Sequence, residues 1–137
     1  MPLDPVLITD TRAWLQRAAN DLRAADLDLA ATPPLIEDAL FHCQQATEKA
    51  LKAFLTYHDI AFRKTHNLEE IGAACLEVDQ TLGSLIAEVT PLSEYAWLYR
   101  YPGSSEALTL DEANEAHSVA QRAYEAVLER LPPATYP

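Results

Sequence analysis

Apolar positions along the chain recur in alternating steps of three and four residues, the period of a helix with one buried face. Leu15, Ala18, Leu22, Ala25 and Leu29 keep that rhythm and predict a first helix over residues 11–30, with Asp10 as its N-cap. Thr32-Pro33-Pro34 ends it, and Thr32 is expected to cap the next helix with Pro33 in the first turn. A second helix over residues 35–57 carries the stripe Ile36, Leu40, Cys43, Thr47, Ala50 and Phe54. Residues 58–66 read as a connection. Asn67 and Glu70 fit a capping box that opens a third helix with Leu68, Ile71, Cys75 and Val78 on its inner face. A fourth, over residues 81–99, is marked by Leu82, Leu85, Val89, Leu92, Ala96 and Tyr99. Pro91 removes a backbone donor inside it, so a kink or break is expected there. The fifth starts at the capping box Thr109-x-x-Glu112 and runs through Ala113, Ala116, Ala120, Ala123 and Val127 to Leu131. Pro132 and Pro133 close it, leaving a frayed tail. No β-type alternation, internal repeat or low-complexity linker interrupts the series. The pattern predicts an all-α, antiparallel up-down bundle of four long helices plus a short one.

Composition agrees. Only 3 of 137 residues are glycine and 49% are apolar, many of them the strong helix formers Ala and Leu. The length suits one domain over residues 1–137, with a core at about 11–131. No apolar run approaches the ~18 residues of a membrane span. Residues 1–10 lack the basic start and apolar stretch of a signal peptide, so the chain is read as cytoplasmic, without a membrane. Cys43 and Cys75 fall singly on helix stripes and read as buried free thiols.

Charge changes the picture locally. All three lysines, Lys49, Lys52 and Lys64, lie in residues 49–66 with Arg63. Against the single acid Asp59 they give that window +3 and leave −14 on the rest of a chain whose net charge is −11. Such a total excludes a general nucleic-acid coat. The window is either incidental or a local anion-attracting patch. No Walker-type loop, G-x-G-x-x-G or paired metal-ligand spacing occurs, so no cofactor and no metal is expected.

Gln45, Glu48, Lys49 and Lys52 share a helix face, and Glu48 precedes Lys52 by the four residues that favour an ion pair. From periodicity alone that face is a solvated stripe. The segment Phe41-His42-Cys43-Gln44-Gln45-Ala46-Thr47-Glu48-Lys49-Ala50-Leu51-Lys52-Ala53 also resembles the signature helix of the HEPN family. The likeness continues in Asn20-Asp21-Leu22, Thr65-His66-x-Leu68 and Arg100-Tyr101-Pro102, in the family's order.

This resemblance implies a helical bundle, a homodimer, and pairing with a minimal nucleotidyltransferase in a toxin–antitoxin-type or substrate-binding system. A nucleotide or RNA is the implied ligand. Nuclease branches of the family carry Arg and, a few residues later, His, with no metal. Here Arg100 is followed by Tyr101 to Ala107 without a histidine, and the next is His117. No catalytic residue is therefore assigned, and Arg100 serves only if the chain is a divergent ribonuclease. Ligand or partner contact is assigned to Gln45, Lys49, Lys52, Arg63, His66, Arg100 and Tyr101. The resemblance implies that Lys49, Lys52, Arg63, His66 and Arg100 face one groove. His66 either bonds around the following helix cap or meets phosphate at that helix N-terminus. His42 reads as a packed, hydrogen-bonded histidine, while His58 and His117 stand alone. Three readings result: a binding module, a divergent ribonuclease, and a purely structural bundle that dimerises through apolar faces, to which Trp14, Tyr95 and Trp97 would add area.

Overall fold

Asp4 and Pro5 start the first helix. The structure is a computed structural model describing residues 3–98 and 108–137. In it, α1 runs Pro5–Ala30, and the Asp4 carboxylate accepts the Val6 N–H at 2.8 Å. Proline fits the first turn because its missing donor is not needed there. The helix thus begins well before Thr11, and Asp10 is an exposed residue within it rather than its cap.

α2 spans Ile36–Tyr57. Its N-cap is Leu35, with no side-chain cap bond, so Thr32 does not cap it. A residue before proline is pushed out of the helical region, and Pro33-Pro34 delay the start accordingly. Glu37 and Asp38 stand instead at the positive end of the helix dipole. Contacts order the pair: Asp28 meets His42, Asp21 meets Lys49, and Trp14 meets Lys52, so α1 and α2 run antiparallel.

α2 is buried on most sides, against α1 and against helices that follow it. α3 covers Leu68–Val78, capped as expected by Asn67 Oδ1, which accepts from Glu69 N–H at 2.9 Å and Glu70 N–H at 3.2 Å. Leu68, Ile71 and Cys75 are buried, whereas Val78 at the helix end is exposed. The expected fourth helix is broken. A 3₁₀ turn at Gln80–Leu82 leads to α4, Gly83–Val89; a second, Thr90–Glu94, contains Pro91 and leads to α5, Tyr95–Leu98. α6, Leu110–Glu129, is capped by Thr109, whose Oγ accepts the Glu112 N–H at 3.1 Å. Its inner face is Ala113, Ala116, Val119, Ala120, Ala123 and Val127. The small alanine side chains permit close approach to α2.

The C-terminal tail is packed, not frayed. Thr135 is buried, Arg12 donates to the Ala134 carbonyl, and the Tyr136 hydroxyl donates to the Leu128 carbonyl at 2.7 Å. Arg130 ties the end of α6 to Asp79 (3.0 Å) and Thr81 (2.9 Å). One hydrophobic cluster joins the helices.

Two of its features are testable. Gly72 is buried on α3, and a Cβ there would lie 2.5 Å from Ile86 Cγ2. Overpacking costs about 1–3 kcal/mol, less the roughly 1 kcal/mol that alanine gains over glycine in a helix. Gly72→Ala should therefore lower the urea-unfolding free energy by about 1 kcal/mol. That penalty should vanish in an Ile86→Ala background, as a double-mutant cycle would read. Cys43 and Cys75 are free and buried, and burial pushes both thiols up to about 12, with the Asp26 and Asp28 charges adding to the rise at Cys43. Since the thiolate is the reactive form, neither should react with iodoacetamide at pH 8 until the protein is unfolded.

Candidate functional site

Gln44, Glu48 and Lys52 lie four residues apart on α2, forming a polar ridge turned inward. Glu48 is its centre. One carboxylate oxygen accepts from His66 Nδ1 at 2.8 Å and from Gln44 Nε2 at 3.1 Å, and the other accepts from Lys52 Nζ at 3.0 Å. Gln44 also donates to the His66 carbonyl at 3.3 Å and accepts from Gln45 Nε2 at 2.6 Å. The Lys52 ammonium lies 5.6 Å from the Trp14 ring centroid and 5.5 Å from that of Phe62, rings that meet edge to face. Both distances are within cation–π range.

A buried ion pair persists only when its remaining donors and acceptors are satisfied, because stripping water from each ion costs several kcal/mol. Here three donors serve one carboxylate. An ionised carboxylate only accepts, so His66 Nδ1 carries a proton, and in the neutral ring the lone pair is then on Nε2. The Glu48 side chain is 4% exposed and that of His66 46%, so the network runs from the core to the surface at His66.

The Glu48–Lys52 pair therefore forms as the spacing predicted, but Lys52 is 7% exposed and belongs to the interior, not to a solvated stripe. Lys49 turns to α1 and pairs with Asp21 at 2.6 Å. Arg63 is exposed and pairs with Glu70 at 2.7 Å, which leaves the capping box one-sided. Gln45 is half-buried against Gln44. Lys52 and His66 thus converge on Glu48, while Lys49 and Arg63 are engaged by carboxylates elsewhere. Arg100 and Tyr101 lie outside the described residues. The first-turn amides of α3 are already engaged: Leu68 N–H by Ser93 Oγ at 2.9 Å, and Glu69 and Glu70 by Asn67. His66 accordingly stands beside a closed cap, not an open anion site.

Sequence reasoning missed Gln44, Trp14 and Phe62 in this network. Only Gln44 had a local signal, its four-residue spacing from Glu48. His42 is hydrogen-bonded as expected, to Asp28 at 2.7 Å. His117 does not stand alone, since it lies 2.6 Å from the Asp26 carboxylate. The His58 ring lies tilted against Phe54 and edge-on to Tyr57. Trp14 is half-buried against Phe62, Tyr95 is half-buried, and Trp97 is 59% exposed. A groove of about 460 Å³ opens beside Trp14, lined by Asp10, Ala13, Arg17 and Thr56. Among the described residues no cluster of metal-ligating side chains occurs, and no helix is long and apolar enough to cross a membrane.

No curated protein matches the chain. Among solved structures, TT1696 from Thermus thermophilus is similar, with a TM-score of 0.77 and 29% identity over 88% of this chain and 98% of that one. The model of the HEPN domain matches residues 11–131, which include α2, His66 and all but the ends of the bundle. The chain belongs to the HEPN domain family.

Proposed function

We propose that this chain is the HEPN half of a two-part system with a minimal nucleotidyltransferase, of toxin–antitoxin type. It acts as one domain and as a homodimer that holds a phosphate-bearing ligand or the acidic surface of its partner, without catalysis of its own. The observation that supports this reading is the stretch Arg63-Lys64-Thr65-His66. Arg63, Lys64 and His66 are all exposed, on a body that is otherwise strongly acidic. Lys64 has no ion-pair partner among the described residues, and the Arg63–Glu70 pair is a surface pair, worth about 0–1 kcal/mol and easily exchanged for phosphate. Lys52 braces Glu48 behind His66, Lys49 fastens the same helix to α1 through Asp21, and Gln45 supports the network through Gln44. Arg100 and Tyr101 complete the ligand contacts carried over from the family resemblance.

A thermal-shift series with nucleoside mono-, di- and triphosphates tests the binding reading, because a ligand that binds only the folded state raises Tm. At least one nucleotide should raise Tm, and the double variant Arg63→Glu/Lys64→Glu should lose that rise while melting normally alone. The absence of any shift, together with failure to co-purify with a coexpressed minimal nucleotidyltransferase, would leave the purely structural bundle. Cleavage of labelled RNA in EDTA would favour the ribonuclease. Light scattering is expected to give the mass of a dimer.

A further inference from the structure

The same histidine has chemistry that simple binding does not use. We infer that His66 Nε2 is a phosphoryl-accepting site, a place where this protein is covalently modified by a small high-energy phosphoryl donor. The inference does not rest on the binding reading, since a small donor requires neither a nucleotide site nor a partner chain.

A ring nitrogen must bear a lone pair and be reachable to act as a nucleophile, and the positive charge that develops on the ring must be stabilised. His66 meets these conditions. The buried Glu48 carboxylate, 2.8 Å from Nδ1, selects the tautomer of the neutral ring with its proton on Nδ1 and its lone pair on Nε2. The side chain is half exposed while Glu48 is sealed from water. The His66 backbone is fixed through its carbonyl by Gln44. In the reaction the Nε2 lone pair attacks phosphorus and the new nitrogen–phosphorus bond forms. The bond from phosphorus to the leaving group breaks, and with phosphoramidate as donor, ammonia departs with the electron pair. The ring becomes cationic and keeps its Nδ1 proton, which faces Glu48. A carboxylate behind the imidazole stabilises such an imidazolium, as in hydrolase triads. Exposed Lys64 and Arg63 on the same connection favour approach of the anionic donor.

The other histidines provide internal controls. His42 is also held through Nδ1 by a carboxylate, Asp28, but its side chain is only 27% exposed and no lysine or arginine lies within ten residues of it on its N-terminal side or six on its C-terminal side. His117 has its Nε2 buried against Asp26. His58 is exposed too, but its ring lies tilted against Phe54 and edge-on to Tyr57, and among the described residues no carboxylate hydrogen-bonds to it to stabilise a ring cation.

The test is incubation of the folded protein with potassium phosphoramidate, followed by ³¹P NMR and peptide mapping. Label is expected first on His66 Nε2, ahead of His42, His58 and His117. Lys64→Glu should slow labelling of His66 without altering the melting curve. Glu48 is a positioning residue, and Glu48→Gln should slow labelling by roughly tenfold or more. It should also divide the label between Nε2 and Nδ1, a spectral change that a merely structural role would not produce. If Glu48→Gln does not fold, Lys64→Glu decides. No label on His66, equal labelling of His42 or His58, or an unchanged rate in folded Lys64→Glu would each overturn the inference.

Discussion

Glu48→Ala is expected to lower the unfolding free energy by about 3–5 kcal/mol, the cost of leaving a buried charge without its partner. Lys52 is 7% exposed, and Glu48 is the acid it pairs with. The aromatic faces of Trp14 and Phe62 attract the ammonium, but a cation–π contact of about 2 kcal/mol does not replace a hydrogen-bonded carboxylate. Gln44 and His66 would lose an acceptor in the same step. Lys52→Glu should be at least as damaging, because it sets two carboxylates against each other in the interior. The joint replacement Glu48→Leu/Lys52→Met removes both charges and should recover most of the loss. Urea denaturation followed by circular dichroism measures all three. A loss below about 1 kcal/mol in Glu48→Ala would mean that water reaches the pair in solution.

Phe54→Ala should cost about 3–5 kcal/mol, the range for removing a buried aromatic ring. Phe54 is 1% exposed and belongs to the largest fully buried side chains of the core. Its ring also lies 4.6 Å from that of His58. Burial lowers the His58 pKa below its ordinary 6.5, against the opposing pull of Asp79. A depressed histidine pKa makes the unfolded state bind more protons, so its stabilising contribution is present above pH 6.5 and is lost as pH falls through the folded value. Phe54→Ala removes the ring that covers one side of the exposed His58 and should flatten that slope as well as lower the overall stability. Denaturation curves at pH 5, 6 and 7.5 measure both effects, and an unchanged slope would assign the pH dependence to other groups.

The helices were legible because their signals are local. The stripe of Leu15, Ala18, Leu22 and Ala25, the caps at Asn67 and Thr109, and the break at Pro91 each depend on residues within a turn or two. The start of α1 was misplaced for a reason of the same kind. Asp4-Pro5 is a stronger start signal than Asp10, yet it precedes the apolar stripe that framed the reading. Thr32 failed as a cap because the two prolines after it keep the backbone extended. The site was less legible. Glu48–Lys52 could be read from its spacing, but Lys52 is buried by Trp14 and Phe62, and Lys49 is paired by Asp21. Those partners come from other elements, and no periodicity on α2 reveals them. The Arg12–Ala134 bond that fastens the tail is long-range in the same way.

The pairing of Glu48 with Lys52 also constrains how the sequence can drift. A change at either codon alone passes through a protein with a stranded interior charge, whereas losing both together is close to neutral. Selection for stability is therefore expected to act on the two positions together. Lineages that abandon the acid should abandon the lysine with it, and the steps between should leave few survivors.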